Sequence, residues 1–154
     1  MDDILNGLGH AAVYAAVGTA LLVAAYFVLD LLTPGHLGAH LHGSAGAGVD
    51  DGTDDGASHS AGLVSAAWLV SVGGVLFTAI WTNGETSLGL ALLATVLFGA
   101  VGIVLNVLAL LVVDAATPGN LRAIVCLPGR AVPLAYVAAS ASLAIGAVVS
   151  ASIA

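Results

Sequence analysis

Lysine is absent from this chain of 154 residues, and arginine occurs only twice, at Arg122 and Arg130. Nine acids leave a formal net charge of −7. That balance excludes a basic patch for nucleic acid or anionic lipid. One cysteine, Cys126, excludes an internal disulfide and says little about compartment. Charge of either sign is scarce. Charged residues make up 7% of the chain and hydrophobic ones 60%, with a mean hydropathy of +1.11. A soluble domain carries about a quarter charged residues. A basic region before the first apolar run is also missing, since the chain opens Met1-Asp2-Asp3. A removable signal peptide is therefore not expected, and the first span should be retained as an anchor.

What is there instead is long apolar runs. Ile4 to Leu29, Gly56 to Gly84, Thr86 to Val113 and Ala131 to Ala154 contain no Asp, Glu, Lys or Arg. A membrane-spanning helix needs roughly 20 apolar residues. Four spans fit, over about 11–32, 61–82, 87–113 and 131–153. The longest polar stretch is about 20 residues, too short for a soluble domain. A soluble bundle would need helices with a polar face. Leu88 to Val113 carries only Thr95 and Asn106 among apolar residues and glycine. The expected fold is an all-α integral membrane four-helix bundle, a single membrane domain over 1–154.

The chain also repeats itself. Val28-Leu29-Asp30-Leu31-Leu32-Thr33-Pro34-Gly35-His36-Leu37 returns as Val112-Val113-Asp114-Ala115-Ala116-Thr117-Pro118-Gly119-Asn120-Leu121, at an offset of 84. Extended back to Tyr14 and Phe98, the pairing has 12 identities in 24 positions. This composition gives about three by chance. Two two-helix repeats follow, one over 11–82 and one over 87–154. Two spans per unit make them parallel, with both Asp-x-x-Thr-Pro-Gly turns on one side of the membrane. The first repeat carries an insertion over 43–60, rich in Gly, Asp and Ser, which is expected to be flexible. Its run Asp50-Asp51-Gly52-Thr53-Asp54-Asp55 and the missing lysine read as adaptation to very high salt, as in a halophilic archaeon. A solvated acidic loop in an ordinary bacterium is the alternative. Both arginines lie between spans three and four. The positive-inside rule then puts loops 33–60 and 114–130 in the cytoplasm and both termini outside.

Thr33-Pro34-Gly35 and Thr117-Pro118-Gly119 have a mechanical reading. Threonine suits an N-cap and proline the first helical position. Each turn should start a short interfacial helix, the second over Pro118–Leu127. Asp30 and Asp114 sit about a turn inside the end of their spans. An acid there opposes the helix dipole, so something must compensate it. Either each carboxylate binds water or the N–H groups of the following turn, or the pair forms a charged mouth for cations or protons. Asn106 lies mid-span on a stripe with Thr95, Gly99 and Gly102. Ala67, Ser71, Gly74 and Thr78 form such a stripe on span two, and Ala138, Ser142, Gly146 and Ser150 on span four. Small residues let helices approach, and an amide in lipid needs an interhelical partner, so packing is the expected role. A polar pore lining is the other reading.

Among the five histidines, His36 and His40 stand at i and i+4. Two ligands do not close a metal site, so no metal and no cofactor is expected. The Asp run fails as a calcium loop: counted from Asp51, position twelve is Gly62. No nucleophile has a His or Lys base within the spans, and no enzyme is expected.

Asp30/Thr33/Pro34 and Asp114/Thr117/Pro118 are the residues by which the chain resembles the family of small prokaryotic inner-membrane proteins grouped as domain of unknown function 350. Members look like tandem two-span repeats with this turn after the first helix of each. The resemblance covers nearly the whole chain. This sequence departs from the pattern in its 43–60 insertion and in lacking a polar start to the second helix of each repeat. The resemblance implies fold and a cytoplasmic-membrane location, and brings no substrate. The expected function is non-enzymatic: a small packing or accessory subunit whose partners are the lipid bilayer and a second copy or other membrane proteins. The alternative is a cation or proton channel, or a small-solute transporter, using Asp30 and Asp114. A metal or redox carrier using His36 and His40 is a third reading.

Overall fold

The structure is a computed structural model that describes residues 2–33, 37–42, 57–83, 87–117, 127 and 130–154. All the regular elements described are helices: α1 (Asp2–Leu32), α2 (Leu37–His42), α3 (His59–Asn83), α4 (Leu88–Ala116) and α5 (Pro133–Ile153). Four of them, all but α2, are long and apolar enough to cross a membrane. These are the four spans expected from hydropathy, with one difference. The first helix begins at Asp2 rather than near residue 11, because only the mild breakers Gly7 and Gly9 interrupt that stretch. Its 31 residues reach about 46 Å, well beyond a hydrocarbon core of about 30 Å.

α3 is the centre of the bundle. Half of its apolar window is buried, against 11% for α1. It packs along its length on α5, and then on α4. α3 and α5 run in the same direction: Ser60 meets Val132 at their starts, Ser71 meets Ser142 further in, and Gly74 meets Ser150 beyond that. α1 leans on this core only through its second half, by Leu21, Ala25 and Leu29. Residues 4–13 are exposed throughout.

The distribution of polarity is inverted relative to a soluble domain. Ser60, Ser65, Ser71, Thr95, Asn106 and Ser142 are buried. Leu31, Trp81 and Ile4 are 85%, 78% and 75% exposed. A surface this apolar is a liability in water and ordinary in lipid. Trp81 stacks on Phe77 near the end of α3, and Tyr136 stands one turn into α5. Aromatic rings near span ends are the interfacial belt of a membrane protein.

Candidate functional site

The turn end of the bundle is held by local hydrogen bonds. Asp30 is half-buried, two residues before α1 ends, and its Oδ1 accepts the Leu37 N–H at 2.6 Å. Leu37 opens α2, whose first N–H groups have no partner within the helix. The carboxylate thus ties the end of one helix to the start of the next, and that N–H compensates the charge. Asp114 occupies the matching place in α4, also half-buried and two residues before the helix ends.

The threonine hydroxyls reach back to the helix before them. The Thr33 hydroxyl donates to the Leu29 carbonyl at 2.8 Å, and that of Thr117 donates to the Val113 carbonyl at 2.7 Å. Each closes the helix before it. The cause is local. The last carbonyls of a helix lack partners, a threonine hydroxyl reaches the carbonyl four residues back, and a following proline drives its predecessor into extended conformation. Thr117 has φ −98 and ψ 127, as that rule requires. Pro34, Gly35, Pro118, Gly119 and His36 lie outside the described residues, as does most of the interfacial helix expected over 118–127.

Two serines fasten α3 at the same end. Ser58 donates its N–H to the His40 carbonyl at 2.8 Å, and its hydroxyl accepts the Ala61 N–H at 3.2 Å. The Ser60 hydroxyl accepts the Val132 N–H, just ahead of α5, at 3.0 Å. Both side chains are buried. The last residues of the 43–60 stretch therefore belong to the start of α3, and residues 43–56 lie outside the described ones. Spacing gave no sign of these contacts, because Ser-rich composition pointed to loop.

In mid-bundle the three small-residue stripes meet. Thr95, Gly99, Gly102 and Asn106 are all buried on α4, as are Ala138, Ser142 and Gly146 on α5. On α3, Ala67 and Ser71 are buried while Gly74 and Thr78 lie toward the periphery. Asn106 Nδ2 donates to Ser71 Oγ at 2.9 Å and to the Gly102 carbonyl at 3.0 Å. Ser71 Oγ in turn donates to the Ser142 carbonyl at 2.7 Å. One side chain from each of two helices and a backbone oxygen from a third thus satisfy one another away from water. The Ser142 hydroxyl is buried and has no partner among the described residues.

Trp68 carries a contact that sequence reasoning did not anticipate. Its fully buried indole donates Nε1–H to the Ala25 carbonyl at 3.1 Å, joining α3 to α1. One signal was available: it stands nine residues into a span, where tryptophan is out of place against the interfacial preference of that residue. Among the described residues no group of three or more His, Cys, Asp or Glu is placed to hold a metal. His40 lies on α2, away from His10 near the far end of α1.

Comparison with known proteins agrees with this architecture. The family model described as Domain of Unknown Function (DUF350) matches residues 3–153. The chain is 29% identical over 153 residues to a UPF0719 transmembrane protein of Mycolicibacterium paratuberculosis, covering 99% of this chain and 92% of that one. No solved structure matches. The apolar helices and the transmembrane relative together make this a multi-pass membrane protein.

Proposed function

The chain belongs to the family described as Domain of Unknown Function (DUF350), and from that premise we propose that it is a non-enzymatic packing subunit of the cytoplasmic membrane that assembles with a second copy of itself. The observation that carries this reading is the contrast between α4 and α1. On α4, Ala91, Thr95, Gly99, Gly102 and Asn106 form the buried face. At the sequence offset of 84, their counterparts are Gly7, Ala11, Ala15, Gly18 and Leu22. Four of these five α1 residues are small, but Gly7, Ala11 and Ala15 are exposed, and nothing approaches within 4 Å of where a side chain on Gly7 or Gly18 would sit. Stripes of this kind serve helix association in lipid, and among the described residues nothing packs closely on Gly7 or Gly18 of this one.

The duplicated, parallel arrangement of repeats belongs to the same proposal. The common direction of α3 and α5 supports it, and so do the equivalent threonine bonds at Leu29 and Val113. The two arginines support cytoplasmic turns and external termini. The Asp30 bond to Leu37 supports a closing role for that acid rather than a place at a pore mouth.

A cysteine at Ala11 in a Cys126→Ala background should crosslink between copies in native membranes, and Ala11→Leu should lower the dimer fraction without unfolding the chain. A monomer at every protein density in nanodiscs, counted by single-molecule photobleaching, would overturn the reading. Cation or proton flux in proteoliposomes, lost in the Asp30→Asn/Asp114→Asn double variant, would replace it with the transport reading.

A further inference from the structure

Where the end of α1, the start of α2 and the first turns of α3 come together, a cavity of about 20 Å³ is lined by Leu29, Thr33, Leu37, Ala61, Val64 and Ser65. We propose that this cavity binds a single water molecule, which donates one hydrogen bond to the Thr33 hydroxyl oxygen and one to that of Ser65, and so joins the end of α1 to α3.

Size and surroundings narrow the occupant first. A single water needs about 10–15 Å³ of such space, so one fits and a lipid tail or an organic solute does not. Five of the six lining residues are buried, and Thr33 is half-buried. The cavity therefore lies between packed elements and not on the outer face of the bundle.

Proton counting then selects among small occupants. A hydroxyl has one proton to give and keeps lone pairs that accept. Thr33 gives its proton to the Leu29 carbonyl at 2.8 Å, and Ser65 gives its proton to the Ala61 carbonyl at 2.7 Å. Both side chains are left as acceptors only, so they cannot bond to each other. What joins them must bring two protons, and water brings two. An ammonium ion brings four and would leave two against leucine and valine, with the cost of unpaired buried donors. A metal cation needs about six oxygens, and the side chains of this cavity supply two. Two bonds lie within the range of about two to four that a buried water makes.

The bridge has a structural consequence. The Trp68 indole ties α3 to α1 at Ala25, about two turns before Thr33. The water is a second polar tie between the same helices, placed at the end where α1 gives way to α2. Thr117 makes the equivalent bond to the Val113 carbonyl but does not line this cavity, which makes it the natural control.

The test uses the full chain in nanodiscs, with isotope-labelled methyl groups on a deuterated background. Magnetisation transfer from water should reach the methyls of Val64 and Leu37 and be absent at those of the lipid-facing Val148. It should be the same in sodium, potassium and choline buffers, and Ser65→Ala should abolish it. Thr33→Val and Ser65→Ala should each lower the folding equilibrium constant. The double variant should lose about fivefold less than the product of the two, because either change alone already releases the water; that factor is one net hydrogen bond of about 1 kcal/mol. Thr117→Val combined with Ser65→Ala should lose the full product. A wild type without transfer at Val64 and Leu37 overturns the proposal whatever the variants do. Losses that multiply in Thr33→Val/Ser65→Ala overturn it too, since nothing then joins the two hydroxyls. Transfer that depends on which cation is present overturns it in favour of a bound ion.

Discussion

The glycines of this bundle differ in what a methyl group would meet, and alanine substitution should rank them accordingly. At Gly146 the new Cβ would press on Ser71 Oγ and lie 2.9 Å from Ser71 Cα and 3.0 Å from its Cβ. Backbone cannot rotate away, so α3 and α5 must separate at their closest approach. Overpacking of this sort costs about 1–3 kcal/mol, and Gly146→Ala should fall at the upper end. At Gly102 the obstacle is the Val75 side chain, with atoms at 3.2, 3.3 and 3.4 Å. A β-branched side chain has few rotamers to escape into, so the cost should be about 1 kcal/mol. At Gly99 the closest atom, 2.7 Å away, is the tip of Leu76, and Leu21 follows at 3.1 Å. Both can turn, and the cost should stay below about 1 kcal/mol. Gly18 has open space, so alanine there should be neutral or should stabilise by about 0.4–1 kcal/mol through the unfolded chain.

The order is therefore Gly146, Gly102, Gly99, Gly18, read as shifts in the midpoint of unfolding in mixed dodecyl sulfate micelles. Trp68, buried at the α1–α3 contact, reports the transition. Compensation separates backbone from side-chain obstruction. Val75→Ala should rescue Gly102→Ala almost fully. Ser71→Ala should rescue little of Gly146→Ala, because the Cα and Cβ contacts remain and the hydroxyl bond to Ser142 is lost as well. If Gly146→Ala proves as mild as Gly18→Ala, or Ser71→Ala restores it completely, the close approach of α3 and α5 is not as described.

Trp68→Phe should cost about 1–2 kcal/mol, one net hydrogen bond plus the volume of the indole. It should also speed amide exchange of α1 around Ala25 relative to α5; equal exchange in both helices would show that α1 does not depend on this bond. Asp30→Asn should change stability by less than about 0.5 kcal/mol, since an amide oxygen still accepts the Leu37 N–H. Asp30→Ala should cost about 1 kcal/mol, a charge-assisted bond discounted for partial exposure. Matching losses in both variants would assign the effect to the charge rather than the hydrogen bond. Deletion of residues 45–56 should leave the unfolding midpoint unchanged. Extending the deletion through Ser58 should lower it by about 1 kcal/mol with the lost cap on α3; an equal effect of both deletions would refute the capping role.

The helices were legible in the sequence because the bilayer sets a single strong criterion, about 20 residues without charge. The stripe on α4 was legible too, because spacing of three and four along a helix defines a face in advance of any partner. Ser71 and Asn106 could be named as packing residues for the same reason. Their bond to each other could not, since it depends on the relative rotation of two helices separated by 35 positions in sequence. Thr33 and Thr117 show a different limit. Threonine before proline satisfies the rule for opening a helix and equally the rule for closing one. The bonds to the Leu29 and Val113 carbonyls show the closing role, which residue type alone did not single out. Trp68 was hidden because its partner is a backbone oxygen, and backbone atoms leave no trace in residue identity.

Helix association in this bundle must come from polar bonds and close fit rather than from hydrophobic burial. Lipid tails are as apolar as the leucines they touch, so burying Leu or Val between helices gains little over leaving it in the bilayer. That is why the interior holds Ser60, Ser71, Thr95 and Asn106 while Leu31, Val112 and Val148 face outward. On this reasoning α4 is the firmly held member of the repeated pair. Gly99 and Gly102 meet α3 and α1 closely, and Asn106 bonds to Ser71. α1 keeps the small residues but has Leu22 at the position of Asn106. Among the described residues, the Trp68 bond to the Ala25 carbonyl is the side-chain hydrogen bond that joins it to α3. A helix held at one end, with its small-residue face uncovered over the other half, is the element of this fold most open to exchange between intrachain and intermolecular packing. Placing asparagine at Leu22 would give α1 the anchor that α4 has. If α1 is the element that joins copies, Leu22→Asn should shift the assembly equilibrium measurably, whereas asparagine at the lipid-facing Val148 should only reduce insertion.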